Sequence, residues 1–257
     1  MLNRPTFPFI AIAACVAALG CGSPSEDIAV SCEEPLGSAL RLFPTNVVAF
    51  SSPKACIPPT SALLINQSDE TIRIDAVQTG NFVLNSDSQD GEGELIASAE
   101  LPQELAPSDS LAVDLRFVSE TPGVNGRVDF EVLTSKGCER FAVSGVRGLD
   151  DRLISSPLVV DLGTASPGTR GEPVDIVFRS ADSDDGTIFT APGVSDGIFE
   201  VVNPIAATPL RSCEPMRASV RFDAPLEPGV YEGLFGWEIL SNGFSGTGFV
   251  HLRGRVR

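Results

Sequence analysis

Apolar and polar residues alternate with a period of two along several short stretches of the chain. Alternation of this kind predicts half-buried β-strands, in which one face packs against a core and the other meets water. The residues that this pattern turns inward are Val113, Leu115, Phe117, Val128, Phe130 and Val132. Their neighbours Asp114, Arg116, Asp129 and Glu131 are predicted to face water.

Two long segments of the chain repeat one pattern. Residues 113–133 and 218–240 each contain an alternating strand, a Pro-Gly turn and a second strand. Each copy then closes on an Arg-Gly pair. Phe117 is expected to correspond to Phe222 and Gly148 to Gly254, which gives an offset of about 105 residues, a typical size for one β-sandwich domain. The chain is therefore predicted to contain two tandem domains of one kind.

Other short strands fit the same scheme. Each is a run rich in β-formers between Pro, Gly, Asn, Asp and Ser, and no crossover helix separates them, which favours an antiparallel β-sandwich. In the first copy these runs are 46–50, 61–66, 71–77 and 81–85, and in the second they are 157–163, 174–178, 187–190 and 197–202.

Composition supports an all-β chain, and the net charge argues against nucleic acids as partners. Gly 24 and Pro 20 are high, while 42% of the residues are hydrophobic and 20% are charged, as in a globular protein. The formal net charge is -16. Because such a chain repels phosphates, nucleic-acid binding is not expected.

The first residues have the pattern of an export signal. Residues 1–20 contain Arg4 and an apolar run at 7–19 that is too short to span a bilayer. The sequence Ala-Leu-Gly-Cys that ends at Cys21 resembles the bacterial lipobox, which implies lipidation of that cysteine. Ala18 stands where lipoboxes prefer Leu, Val or Ile. A site at Cys15 and an ordinary signal peptide with a soluble product remain alternatives.

The residues after Cys21 are predicted to form a flexible acidic tether over 21–38, because they are polar and lack periodicity. Acyl chains on Cys21 would anchor the protein, so a membrane is its expected partner. The lipoprotein resemblance implies a bacterial cell envelope. Gly22 follows the cysteine where an Asp would mark inner-membrane retention, which favours the outer membrane.

Several turn and strand motifs resemble immunoglobulin-like domains of the abnormal-spindle and hydin (ASH) type and the related choice-of-anchor D repeats. The motifs lie at 64–68, 105–110 and 162–168. The resemblance implies two immunoglobulin-like antiparallel β-sandwiches, at 39–148 and 149–257. It also implies a non-catalytic role in protein binding, adhesion or structural spacing with a protein partner in the envelope, and it supplies no catalytic residues.

Four further cysteines are an even number in an exported chain, which predicts disulfides. They are Cys32, Cys56, Cys138 and Cys213. In an immunoglobulin-like topology Cys32 comes near Cys138, while Cys56 lies at the opposite end, facing the second domain and Cys213. This favours Cys32–Cys138 and Cys56–Cys213, and the alternative pairs Cys56 with Cys138. Free thiols or a metal site remain open, although no CxxC occurs.

Residues suited to catalysis are few. His251 is the sole histidine. Residues 193–197 match GxSxG around Ser195, but a strand follows where a nucleophile elbow needs a helix. Ser51 and Lys54 match SxxK, yet Pro53 opposes the required helical turn. We therefore expect no enzyme, no cofactor and no resident metal.

Two acidic loops support an alternative function. Residues 85–94 and 182–186 offer hard oxygen ligands for calcium, but neither has EF-hand spacing. Glycan binding by stacking needs exposed Trp or Tyr, and the chain has one of each, Trp237 and Tyr231. Trp237 is expected to face the core. A calcium-dependent or glycan-binding surface module is the alternative to the non-catalytic spacer.

Overall fold

The computed structural model describes residues 39–52, 56–147, 154–155, 157–181, 186–190, 197–241 and 244–257. These residues form eighteen β-strands and no α-helix. The predicted signal at 1–20, the tether at 21–38 and the domain boundary at 148/149 lie outside the described residues, so they stay predictions.

The first nine strands form one β-sandwich, which we call sandwich 1. One sheet has the order β1-β3-β7-β5 and the other the order β2-β9-β8-β4-β6. The strands are β1 (Leu40–Phe43), β2 (Val47–Ser51), β3 (Thr60–Asn66), β4 (Ile72–Leu84), β5 (Glu94–Ser98), β6 (Gln103–Leu105), β7 (Ser110–Val118), β8 (Asn125–Thr134) and β9 (Gly137–Arg147).

The next nine strands form sandwich 2 with the same connectivity. Its sheets have the orders β10-β12-β16-β14 and β11-β18-β17-β13-β15, so each strand repeats the one nine places earlier. The strands are β10 (Ile154–Ser155), β11 (Val159–Ala165), β12 (Val174–Ser180), β13 (Thr187–Thr190), β14 (Phe199–Asn203), β15 (Thr208–Pro209), β16 (Met216–Phe222), β17 (Gly229–Ser241) and β18 (Phe244–Val256). The predicted all-β fold of two tandem immunoglobulin-like sandwiches is confirmed.

Each sandwich also contains one parallel strand pair. The first stretch of sandwich 1 divides between the two sheets, since β1 pairs antiparallel with β3 and β2 pairs parallel with β9. Sandwich 2 does the same, with β10 on β12 and β11 parallel to β18. In each sandwich the first stretch of chain therefore connects the two sheets that enclose the core.

The predicted inward residues are buried in two separate cores. Val113, Leu115 and Phe117 belong to the core of sandwich 1, together with Val128, Phe130 and Val132. The core of sandwich 2 contains Phe178, Phe222 and Phe235. The alternation was therefore a correct guide to the buried faces of these strands.

A glycine beneath a buried phenylalanine fixes how the two copies correspond. The ring of Phe117 lies over Gly145, where a Cβ atom would be 2.4 Å from it, and the ring of Phe222 lies over Gly254, where a Cβ would be 2.8 Å away. Gly254 therefore corresponds to Gly145, and the predicted match with Gly148 is wrong. Both glycines leave room for a ring that fills the same place in each core.

The strands predicted at 71–77 and 81–85 are one strand, β4. Its pairing with β8 continues through a register shift between Thr79 and Phe82. The residues Gly80 and Asn81 had the composition of a turn, but they form an irregularity within the strand. The counterpart of the strand near 197–202 is consequently β5, which the sequence did not predict. The short strands β1 and β6 were not predicted either.

Candidate functional site

Strand β3 is buried on both of its faces, whereas the strands with an alternating pattern bury only one. Ala62 and Leu64 point into the core of sandwich 1. Leu63 and Ile65 point the other way and form a separate apolar cluster with Phe43 and Val159. Since Val159 begins β11, this cluster joins the outer side of the β1-β3 sheet to sandwich 2. We call the contact between the two sandwiches the junction.

A buried arginine links the junction to a turn of sandwich 1. Arg253 lies on β18 beside Asp161 of β11 and is 0% exposed. Its Nη1 lies 3.1 Å from Asp161 Oδ2, and its Nη2 donates a 2.6 Å hydrogen bond to the backbone carbonyl of Ser108. Ser110 donates to Asp161 Oδ2 at 2.6 Å. Burial lowers the pKa of the Arg253 guanidinium, and the charge of Asp161 opposes that shift.

Two more arginines reach the same turn. Alternate residues of β18 share a face, so Arg255 follows Arg253, and Arg257 continues the series at the end of the chain. Arg255 Nη1 lies 2.5 Å and Arg257 Nη2 lies 2.8 Å from Asp109 Oδ1. Charge-assisted bonds of this kind are the stronger class of hydrogen bond. The turn therefore receives guanidinium groups from three successive outward positions.

The turn that receives these arginines is held by Asn66, which is buried at the end of β3. Ser108 N donates to Asn66 O at 2.9 Å, and Asn66 N donates to Asp109 O at 3.0 Å. The side-chain amide of Asn66 also donates to Leu105 O at 2.8 Å. Ser108 has a φ of 66°, which turns its carbonyl out of the strand direction. The motif at 105–110 thus presents fixed acceptors to sandwich 2.

His251 lies within the junction. Its ring meets the ring of Phe43 edge-on, with centroids 5.2 Å apart, and its backbone N donates to Leu158 O at 2.9 Å. Arg41 forms an ion pair with Glu232 and lies over the Phe43 ring. Burial lowers the pKa of His251, and the charge of Glu232 partly opposes this. The sole imidazole therefore packs between the two sandwiches.

The other catalytic candidates are not brought to this histidine in the described residues. Ser51 lies in β2, where its hydroxyl donates to Ser119 O and accepts from Ser119 N, both at 3.2 Å. It does not begin a helix, as an SxxK serine would. Ser195 and Lys54 lie outside the described residues.

A disulfide joins Cys56 to Cys213 across the junction, as the favoured pairing predicted. The alternative pairing of Cys56 with Cys138 is wrong. Cys56 precedes the start of β3, whereas the arginine network lies beyond its end, at Ser108. The two sandwiches therefore meet along the length of β3, and not only at the end where the sequence placed Cys56.

Cys138 is also disulfide-bonded. Its predicted partner Cys32 lies outside the described residues, so this pairing stays a prediction. The neighbouring carboxylate, Glu139 Oε1, accepts 2.9 Å hydrogen bonds from the backbone N–H groups of Ala39 and Leu40. Burial raises the pKa of Glu139, and these hydrogen bonds oppose the shift. The chain thus enters sandwich 1 beside Cys138.

The acidic loops hold no recognisable metal site in the part of the chain that the structure describes. No group of three or more His, Cys, Asp or Glu side chains there is arranged to bind an ion. In the first loop, Asn85 Nδ2 donates to Asn125 Oδ1 at 2.6 Å, which ties the loop to β8. Residues 182–185 of the second loop lie outside the described residues.

Trp237, which was predicted to be core, and Tyr231 are partly buried and pack against the core of sandwich 2. Trp237 meets Phe178 edge-on with centroids 6.0 Å apart, and a Cβ at Gly248 would lie 2.1 Å from the indole. Tyr231 packs against Phe222, and its hydroxyl donates to Glu227 O at 2.8 Å. Both rings therefore pack against the core of sandwich 2 and are partly buried.

Within the described part of the chain, no helix has the length and apolar character needed to cross a bilayer.

Neither a protein-family model nor a curated protein matches this chain. Among solved structures, domains 5–6 of the S-layer protein SbsC are similar, with a TM-score of 0.36, 13% identity, and coverage of 85% of this chain and 98% of that one. The ASH/PapD-like domain 7 of human CEP192 has a TM-score of 0.33 and 15% identity, over 42% of this chain and 85% of that one.

The Escherichia coli chaperone DraB is similar at a TM-score of 0.29 and 13% identity, over 83% of this chain and 96% of that one. At these scores the likenesses carry no argument about activity or partners. The function is therefore inferred from the residues of the junction.

Proposed function

We propose that the protein is a lipid-anchored, non-catalytic module of a bacterial cell envelope that spaces or presents a binding surface. In this proposal Cys21 carries the lipid, residues 21–38 give reach, and the two sandwiches form one fixed unit. A protein partner in the envelope would meet the exposed loops or strands of that unit.

The junction is the observation that carries this proposal. An apolar cluster, a buried guanidinium and the Cys56–Cys213 disulfide hold the two sandwiches together at three places along β3. A spacer needs such fixed geometry, whereas many enzymes close a loop or a domain over their substrate. A structural disulfide also suits an oxidising compartment, in agreement with export.

The positions of the catalytic candidates support the same proposal. His251 packs against Phe43, and the hydroxyl of Ser51 is bonded to the backbone of Ser119. Ser195 remains to be tested chemically, because an active serine hydrolase reacts with a fluorophosphonate probe. We expect the probe to label the wild-type chain no more than it labels Ser195→Ala. Labelling of the wild-type chain that is lost in Ser195→Ala would contradict a non-catalytic role.

Metabolic labelling with palmitate tests the anchor. The wild-type chain, Cys21→Ser and Cys15→Ser are expressed in a bacterium with two membranes, and the label and the outer-membrane fraction are measured for each. We expect Cys21→Ser to lose both label and membrane association, while Cys15→Ser retains both. Label that survives in Cys21→Ser, or an unlabelled wild-type chain, would contradict the proposed anchor.

A further inference from the structure

Strand β5 lies at the edge of its sheet and leaves part of its backbone without a strand partner. In the described part of the chain β5 pairs with β7 alone, from Glu94 opposite Val118 to Ser98 opposite Asp114. In an antiparallel pair, alternate residues direct their N–H and C=O groups away from the partner strand. An edge of this kind is a template to which a further extended segment can add by hydrogen bonds.

Strand β5 lacks two features that commonly protect an edge strand, a proline and a β-bulge. It contains no proline, and its pairing with β7 runs through the whole strand without a register shift. The corresponding strand of sandwich 2 is β14, which has a register shift between Val201 and Asn203 and is followed directly by Pro204. Sandwich 2 therefore protects an edge that sandwich 1 leaves open.

Apolar side chains stand on the outer face of the sheet beside this edge. Ile96 on β5 is 46% exposed and Val118 on β7 is 41% exposed. They occupy diagonal positions across the two strands, within reach of each other. We call β5 together with these two residues the open edge. A segment that paired with β5 would place its outward side chains beside Ile96, so the open edge offers apolar contact as well as backbone hydrogen bonds.

The same face of sandwich 2 is charged and internally paired. Because Phe117 corresponds to Phe222, the pairing of each with its edge strand matches the two faces residue by residue. Glu200 and Asp223 take the places of the two apolar residues, and Arg221 forms ion pairs with both. The fold therefore does not require an apolar face at this edge, and the open edge is a property of sandwich 1.

The charges around the open edge favour a cationic occupant. Glu94 lies on β5, and together with Glu92 and Glu120 it lines a groove of about 470 Å³ at the end of that strand. All three are exposed, and no partner engages their carboxylates among the described residues. The guanidinium of Arg116 lies on β7, one strand further from the free edge and two residues from Asp114 on the same face. An added segment therefore meets carboxylates first.

We propose that the open edge binds an extended, cationic segment of another protein, in which basic and aliphatic residues alternate. The segment would add to β5 as a fifth strand of the sheet. Its aliphatic side chains would face the rim of the core beside Ala97, while its basic side chains would cross Ile96 with their apolar stems and reach Glu94 with their charged ends. The open edge would then be the surface that the anchored unit presents, so this assignment rests on the proposed function.

The net charge of the chain supports this occupant over the chain itself. A formal charge of -16 attracts a cationic segment over longer distances. Residues 22–38 contain four acidic residues and no basic one, so they suit an acidic edge poorly. A second copy carries the same -16 and is repelled as well. Added salt should weaken binding of the cationic segment, because it screens the attraction.

Titration of the full chain in detergent with three synthetic peptides of equal length tests the proposal. One peptide alternates Lys and Val, the second alternates Glu and Val, and the third is the Lys-Val peptide with its central Val replaced by Pro. We expect the Lys-Val peptide to bind, and the other two to bind at least about tenfold more weakly, because one is repelled and the other cannot continue the ladder. Equal affinity of the two cationic peptides would show attraction by charge alone and overturn the proposal. Absence of binding at millimolar peptide would overturn it too.

Hydrogen exchange of the wild-type chain locates the bound Lys-Val peptide. We expect slower exchange over 94–98 and no change over 199–203, the matching edge of sandwich 2. An effect at 199–203 without one at 94–98 would overturn the proposal. Residues 94–98 that are fully protected before the peptide is added would overturn it as well, because another part of the chain would then cover the edge.

A variant of the open edge tests the same contact by mutation. Ile96→Lys places a cation on β5, and Leu226→Lys is the matched control, because Leu226 is 79% exposed in the turn before β17. We expect Ile96→Lys to weaken binding of the Lys-Val peptide by at least about tenfold, with no change in the control. Unchanged affinity in an Ile96→Lys chain with native circular dichroism would overturn the proposal, and the exchange measurement decides if that variant does not fold. Failure here leaves the anchor and the non-catalytic role standing, since palmitate and fluorophosphonate labelling test those separately.

Discussion

Arg253 at the end of the chain donates a 2.6 Å hydrogen bond to the backbone carbonyl of Ser108, a residue of the other sandwich. Its guanidinium is completely buried and also contacts Asp161. A buried charge is tolerated only where it is paired and hydrogen-bonded. The turn in the first sandwich therefore supplies a hydrogen-bond partner that the buried charge of the second sandwich requires.

Replacement of Asp161 by alanine should destabilise the chain strongly, because it leaves the Arg253 charge buried with fewer partners. Loss of one member of a buried ion pair costs about 3 kcal/mol. Urea unfolding of the wild-type chain and the variant measures this. The control is Glu214→Ala, which removes an exposed partner of Arg211 and should cost less than about 1 kcal/mol. Equal losses in the two variants would contradict a buried network.

Removal of the disulfide should destabilise the folded chain without a change of fold. Cys56 and Cys213 are 157 residues apart, and the chain-entropy model gives up to about 5 kcal/mol for a loop of that size. We expect Cys56→Ser/Cys213→Ser to unfold at a lower urea concentration than the wild-type chain. Peptide mapping under non-reducing conditions checks the pairing, and a Cys56–Cys138 peptide would contradict it.

The stability of the chain should fall as His251 becomes protonated. Burial lowers the pKa of His251 in the folded state, so the unfolded chain binds the proton more readily. The free energy of unfolding therefore decreases as the pH falls below about 6.5, the ordinary pKa of histidine, towards the lower folded-state pKa.

The difference in unfolding free energy between wild type and His251→Gln isolates this effect, because the chain has one histidine. The free energy of unfolding of the wild-type chain, relative to that of His251→Gln, should be lower at pH 5.5 than at pH 7.5. A difference that is independent of pH would show that the imidazole is not buried in the junction.

Gly145→Ala should destabilise sandwich 1, because the new methyl group would lie 2.4 Å from the ring of Phe117. Overpacking of this kind costs about 2 kcal/mol. Ser144→Ala, on the exposed face of the same strand, is the control and should change stability little. Thermal melting compares the two variants, and an unchanged melting temperature for Gly145→Ala would argue against the register of the two copies.

Calcium should leave the melting temperature unchanged. The described residues contain no cluster of ligands for an ion, and the loop at 182–186 has no EF-hand spacing. Melting in millimolar calcium and in chelator, for the wild-type chain and Asp184→Asn/Asp185→Asn, measures this. A calcium-dependent rise that the double variant loses would favour the calcium-binding alternative.

Period-two alternation was enough to predict the strands that bury one face. It placed Phe117 and Phe130 in the core correctly, because a single buried face has a simple pattern. It misjudged β4, where Gly80 and Asn81 have turn composition but interrupt the strand only locally. Local composition does not distinguish a turn from an irregularity that the neighbouring strand supports.

The junction could not be predicted from local patterns, since its partners are distant in sequence. Two signals were present: the unbroken apolar run Ala62 to Ile65 in β3, and the alternate arginines Arg253, Arg255 and Arg257 at the end of the chain. An apolar run indicates a strand that is buried on both faces. What covers the second face depends on the packing of whole domains. The acceptor at Ser108 carried no signal, because it is a backbone carbonyl and such carbonyls occur at every residue.

Hydrogen exchange under increasing urea, with both disulfides intact, tests most directly whether the junction makes the two sandwiches one unit. Peptides from β8 report on sandwich 1 and peptides from β17 report on sandwich 2. If the junction couples them, both sets lose protection in one transition with the same midpoint. Two separate midpoints, with one sandwich unfolding while the other stays protected, would contradict the coupling.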